Sequence, residues 1–158
     1  MDKQLVTRPR HGSRAKKSQT ISIVEVRDTL ISVDYPYNAE FTADLLKQQD
    51  ELLVQQYHRF HSRLPQLLIY LNGISEIGSD CKSYIQSKAH QDLYESVAFI
   101  LSKGNMSVLE RHYLEQLYIN QPQAPFKSPK SAYSIGVFPA TEPAQLWLKS
   151  KSGSNYQY

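Results

Sequence analysis

Residues 67–71, LLIYL, form an unbroken run of five large apolar side chains between Gln66 and the pair Asn72-Gly73. A strand with one wet face alternates apolar and polar residues. An unbroken run of strand length therefore marks a strand covered on both faces, as parallel strands usually are. Parallel strands cannot be joined by a tight turn and need crossovers, which are usually helices. The flanking sequence supplies them. Residues 41–61, FTADLLKQQDELLVQQYHRFH, place Leu45, Leu46, Leu52, Leu53, Tyr57 and Phe60 on one helical stripe with charged residues opposite, and Thr42 in the N-cap position. On the other side, a turn at Asn72-Gly73 is expected, and Ser79 is placed to cap a helix that buries Cys81, Tyr84 and Ile85 and runs to about Lys88 or Gln91.

The remaining elements follow from the same two periodicities. Residues 21–27, ISIVEVR, and 29–35, TLISVDY, alternate and are rich in β-branched residues, so they read as an antiparallel hairpin turned at Asp28. Pro36, within Tyr35-Pro36-Tyr37-Asn38, is expected to end the second strand, because proline donates no ladder hydrogen bond. Residues 96–102, SVAFILS, read as another strand, stopped by Gly104. Residues 107–110, SVLE, read as a capping box that opens a helix with Leu109, Tyr113 and Leu117 on one face, ending near Asn120. Residues 121–132 are a proline-rich crossover, 134–138 (SIGVF) a short last strand, and Thr141 begins a closing helix with Pro143 in its first turn and Leu146, Trp147 and Leu148 as docking residues. The order β-β-α-β-α-β-α-β-α describes an α/β domain over residues 21–150, with a five-stranded mixed sheet, about four helices and a frayed tail at 151–158.

Charge is distributed unevenly. Residues 1–20 hold Lys3, Arg8, Arg10, Arg14, Lys16 and Lys17 against Asp2, so they carry +5 of the chain's net +3, and the rest carries −2. This stretch has few large apolar residues and includes Pro9 and Gly12, which is the composition of a disordered basic arm. Arg8, Arg10, Arg14, Lys16 and Lys17 are the groups that would lie on phosphates or an anionic surface. No apolar run reaches the roughly 18 residues of a membrane span, and no apolar leader region precedes the fold, so a cytoplasmic location is expected. The single cysteine, Cys81, excludes an internal disulfide and a zinc finger.

Three stretches carry a resemblance: residues 64–85, LPQLLIYLNGISEIGSDCKSYI; residues 95–120, ESVAFILSKGNMSVLERHYLEQLYIN; and residues 137–149, VFPATEPAQLWLK, with AQLWL at 144–148 the most specific part. In its apolar blocks and turns, over about residues 20–150, the chain resembles the STAS/SEC14-like (anti-sigma-factor-antagonist-like) family of small bacterial proteins. The resemblance implies a five-stranded sheet with helices, no cofactor and mostly unknown function, with regulators of sporulation and stress sigma factors the best-understood relatives of the broader fold. In the regulators of that fold, the strand matching residues 67–71 leads to Asp-Ser-Ser-Gly at a helix start, where phosphorylation of a serine switches partner binding. Here the stretch reads Gly78-Ser79-Asp80-Cys81. Asp80 would repel a phosphate on Ser79, so the residues favour a plain N-cap over a switch.

No phosphate-binding glycine loop, metal-protease helix or nucleophile elbow is present. His58 and His61 lack further ligands at metal spacing. Cys81 paired with His90 or His112 would make a nucleophile, but its place on an apolar helix face suits a core residue better. Tyr35 and Tyr37 fall in one expected loop and would offer a stacking surface. The chain therefore reads as a non-enzymatic regulatory or protein-interaction module with no cofactor and no metal. Its partner would bind at Ser79, Asp80, Gly104 and Asn105, since strand ends in an open α/β sheet form the usual recognition crevice. A homodimer is compatible with such a module. The alternatives are nucleic-acid or anionic-surface binding through the arm, and a small apolar ligand held between sheet and helices, the latter by fold analogy alone.

Overall fold

The computed structural model describes residues 19–58, 63–119 and 133–153. Its sheet has five strands in strictly sequential order: β1 (Ser22–Arg27), β2 (Leu30–Phe41), β3 (Gln66–Ile77), β4 (Ser96–Ile100) and β5 (Ser134–Phe138). β1 and β2 are antiparallel and all later neighbours are parallel, which gives the mixed sheet expected. Five α-helices rather than about four accompany it: α1 (Ala43–Leu53), α2 (Ser79–Ile85), α3 (Lys88–Gln91), α4 (Asn105–Leu114) and α5 (Thr141–Gly153). Two π-helical turns, Val54–His58 and Glu115–Ile119, extend α1 and α4. The extra helix arises because the segment expected as one helix is recapped. Ser87 accepts from the His90 backbone N–H at 3.3 Å and restarts the chain as α3. α5 continues to Gly153, so residues 151–153 of the expected tail are helical; 154–158 lie outside the described residues.

Leu67, Ile69 and Leu71 of β3 join the larger core with Ile31, Val33, Val97 and Phe99, packed against Leu45, Leu46, Leu53 and Tyr57 from α1 and its π turn, Ile85 of α2 and Leu114 of α4. Leu68 and Tyr70 point the other way, into a smaller cluster with Ala98, Ile100, Phe138 and Trp147, closed by Ala144 and Leu148 of α5. Both faces of LLIYL are thus covered, and the strand lies in the middle of the sheet.

β2 and β3 run on where turns were expected. The register of β2 slips between Asp34 and Tyr37, which pair with Tyr70 and Asn72, so Tyr35 and Pro36 oppose one residue of β3. Pro36 sits in that bulge, where its missing N–H costs the ladder little. In β3 the chain passes Asn72-Gly73 because Gly73 adopts φ +98°, a conformation open to glycine, and a Cβ there would lie 2.4 Å from the Met106 side chain. Beyond the Tyr70–Ile100 pair, β2 and β3 therefore continue as a two-stranded ribbon to Phe41 and Ile77.

Helix starts also differ from the pattern. Thr42 caps α1 as expected, accepting from the Leu45 N–H at 3.1 Å. Ser79 does not cap α2. The Gly78 N–H is held by the Phe41 carbonyl at 2.8 Å, Gly78 itself is the N-cap, and Ser79 is the first helical residue. The expected capping box at 107–110 does not form. α4 starts three residues earlier, with Gly104 as its N-cap, and Glu110 turns inward. That rotation leaves Val108 and Leu109 exposed and buries Leu114 beside the expected Leu117. On α5, Ala144 and Leu148 are the buried contacts, Trp147 is half-buried and Leu146 faces water.

Candidate functional site

The α1 stripe carries two polar side chains into the core. Gln49 and Asp50 lie one turn after Leu46 and one turn before Leu53, and are 3% and 5% exposed. Donors converge on Asp50 from three segments: Tyr84 of α2 donates to Oδ2 at 2.5 Å, His90 Nδ1 of α3 lies 2.9 Å from the same oxygen, and Tyr94 donates to Oδ1 at 2.5 Å. A carboxylate oxygen accepts, so His90 Nδ1–H donates to Asp50, and Nε2 lies 2.6 Å from the Tyr133 hydroxyl. Tyr133 is hydrogen-bonded in turn to Tyr118. On the other side, Gln49 donates to Tyr94 at 3.1 Å and accepts from Tyr35. Burial, before any other cause, pushes the phenols of Tyr35, Tyr94 and Tyr133 well above their ordinary range, so they remain neutral donors. The network meets water at a shallow cleft of about 310 Å³, lined by Lys47, Asp50, Glu51, Val54, Gln55 and Tyr84. Its donors and acceptors are matched to one another, and it ties α1, α2, α3 and the starts of β4 and β5 together.

Cys81 lies in the core, as its place on the apolar helix face suggested. Burial, with a smaller contribution from Asp80, pushes the Cys81 thiol up to about 12, which keeps it protonated at neutral pH. His90 is engaged at both nitrogens, and His112 lies exposed on α4. Tyr35 and Tyr37 do not share a loop surface: Tyr35 is in the core and Tyr37 is 76% exposed. His61 lies outside the described residues, and among those described no group of three His, Cys, Asp or Glu is arranged to hold a metal ion.

A second place is built at the carboxyl ends of β4 and β5. α1, α2 and α4 all pack on one face of the sheet, as a sequential strand order with crossovers of constant hand requires. Among the described helices, α5 packs on the other face. The chain thus leaves β4 and β5, which are neighbours and parallel, toward opposite faces, and such a divergence opens a crevice at the strand ends. There a cleft of about 480 Å³ is lined by Ser102, Lys103, Gly104, Val108, Arg111 and His112, among others. Its floor is fixed by Glu110, whose fully buried carboxylate accepts the N–H groups of Gly73 and Ser102, each at 2.6 Å, and lies 2.7 Å from the Ser102 hydroxyl. These charge-assisted bonds lock α4 to β3 and to the loop after β4.

The residues expected to form one surface fall in two places. Gly104 and Asn105 open α4, and Gly104 lines the β4–β5 cleft. Ser79 and Asp80 are exposed at the far end of the β2–β3 ribbon. Ser79 lies six residues beyond Gly73, against which Met106 of α4 sits, and about 13 Å of strand, from Gly73 to Ile77, lies between the two places. Arg8, Arg10, Arg14, Lys16 and Lys17 lie outside the described residues. No helix among the described residues is long and apolar enough to cross a membrane. No family model, no curated protein and no solved structure matches the chain.

Proposed function

We propose that this protein is a non-enzymatic regulatory or protein-interaction module, of the type the STAS/SEC14-like resemblance implies, and that its β4–β5 cleft receives an acidic segment of a partner protein. The observation that carries the reading is the rim of that cleft: Lys103, Arg111 and His112 are exposed around it, with Val108 and Leu109 exposed on the same helix. Basic groups beside bare apolar side chains complement a segment that carries both carboxylates and apolar anchors. Support also comes from the interior, where Asp50, His90 and Cys81, the groups that would perform chemistry, are buried. Of the four residues anticipated for one surface, Gly104 lines this cleft, while Ser79 and Asp80 lie away from it.

The test is selection of peptides from a random displayed library on the full chain. Enriched sequences should combine Asp or Glu with apolar residues, and Arg111→Glu should weaken their binding at least tenfold while Ser79→Asp leaves it unchanged. Peptides without acidic residues, or equal binding to Arg111→Glu, would sink the proposal. Salt-sensitive retention on DNA that disappears on deleting residues 1–20, with no peptide enriched, would favour the alternative of a nucleic-acid binder acting through the arm.

A further inference from the structure

β1 is an edge strand, and among the described residues nothing pairs with its outer side. Val24 and Val26 on this strand are 59% and 43% exposed. The backbone groups that this edge offers can be read from the turn. Asp28 and Thr29 form a two-residue loop, with Asp28 at φ 54°, and Arg27 pairs with Leu30 across it. A two-residue loop closes on a hydrogen-bonded pair, and such pairs alternate along an antiparallel ladder. Arg27–Leu30 and Glu25–Ser32 are therefore hydrogen-bonded pairs and Val26–Ile31 is not. The N–H and C=O of Val26 consequently point outward. On the side-chain level, Val26 shares the helix-bearing face with Ile31, while Glu25 and Arg27 share the opposite face, where they form an exposed ion pair at 2.7 Å.

We propose that β1 pairs antiparallel with β1 of a second copy of this chain, about a twofold axis at Val26. In that register the outward N–H and C=O of Val26 meet the same groups of the second Val26, and the two exposed valine side chains cover one another. Glu25 then stands directly opposite Arg27 of the other copy, twice, in the closely spaced pairs that lack backbone hydrogen bonds. A twofold axis perpendicular to the sheet keeps each side chain on its face, so it must pass through a residue rather than between two. Moving the axis one residue either way sets Glu25 against Glu25 or Arg27 against Arg27, and like charges directly opposite are destabilising. The two charges thus select one register of self-pairing, the one that also satisfies the edge of Val26. An edge contact of this length buries less than the roughly 1,200 Å² of a stable interface, so the dimer is a weak one, populated toward about 1 mM protein.

Analytical ultracentrifugation of the full chain up to about 1 mM, at low salt, tests the pairing. Wild type should shift from monomer toward dimer. Glu25→Arg and Arg27→Glu, each shown by circular dichroism to be folded, should each remain monomeric, because each sets like charges opposite. Mixed together, the two variants should form a heterodimer, because arginines at 25 and 27 of one copy then face glutamates at 27 and 25 of the other. A wild type that stays monomeric, including one whose own N-terminal arm occupies the edge, overturns the proposal. So do single variants that dimerise like wild type through some other surface, and a mixture that gains nothing over its components.

Discussion

At the scale of single residues, the informative side chains are polar ones on an apolar stripe. Asp50 and Gln49 fall between Leu46 and Leu53 at helical spacing, and where the sequence pattern set the charged residues of this helix opposite its apolar stripe, the fold turns Asp50 inward. Its partners were not legible in the sequence either. Tyr84, His90 and Tyr94 are separated from Asp50 by 34 to 44 residues, and only the tertiary fold brings them to it. Asp50→Ala should leave the buried His90 N–H and Tyr94 hydroxyl without their acceptor. With those buried donors left unsatisfied, it should lower the unfolding free energy by about 1 to 3 kcal/mol for each, measured in urea. The same network sets an alkaline limit. Tyr35, Tyr94 and Tyr133 have folded pKa values raised above the unfolded value of 10.0, and Cys81 is raised from 9.0 to about 12. Above those unfolded values the unfolded chain loses protons that the folded chain keeps, so stability is intact below about pH 9 and falls as pH rises beyond it. The urea midpoint should drop steadily from about pH 9 upward, and the buried tyrosines among the eleven should ionise only together with unfolding. Tyrosinate absorbance from all eleven in the still-folded protein would remove the buried network.

At the scale of elements, strands were read better than helix ends. The unbroken LLIYL run placed β3 in the centre of the sheet correctly, because double-sided burial needs no knowledge of neighbours. The stops at Pro36 and Asn72-Gly73 were misread for a local reason. A bulge and one left-handed glycine let a strand continue past residues that normally end one, and neither device has a signature apart from the residues themselves. Caps failed in a similar way: Ser79 has the right side chain one position too late, and residues 107–110 have the right spacing on a helix that had already begun. The contrast gives a measurement. Thr42→Ala should destabilise the protein by about 0.5 to 2 kcal/mol, whereas Ser79→Ala should change it by less than about 0.5 kcal/mol, since no capping bond is lost. A thermal melt in which Ser79→Ala costs as much as Thr42→Ala would restore Ser79 as the cap.

At the scale of the whole molecule, the sheet lies between two unequal cores, and the smaller one depends on a single helix. The sequence placed a closing helix at α5 but assigned its docking to Leu146, Trp147 and Leu148 together; the helix in fact turns Ala144 and Leu148 inward and Leu146 outward. Trp147 reaches the sheet because β5 has a glycine beneath it. A Cβ at Gly136 would lie 3.3 Å from the indole and closer still to Phe138, whose ring centroid is 5.5 Å from that of Trp147. The polar anchor of the helix is Gln66, at the start of β3, which donates to the Leu148 carbonyl at 2.7 Å in a buried setting and lies 3.3 Å from the Ser96 hydroxyl. Trp147 is the only tryptophan, so its fluorescence reports α5 docking while far-ultraviolet circular dichroism reports the whole fold. With the anchor intact, α5 should undock only when the sheet unfolds, and the two urea transitions should coincide. Gln66→Ala removes this side-chain bond while the Leu148 carbonyl keeps its place in the α5 ladder, at a cost of about 0.5 to 1.5 kcal/mol that falls mainly on α5. Fluorescence should then change at lower urea than circular dichroism, and hydrogen exchange should quicken in α5 before β3. Coincident transitions in Gln66→Ala would mean that Ala144, Leu148 and the Phe138–Trp147 contact hold α5 without the anchor, and that the second face is as cooperative as the first.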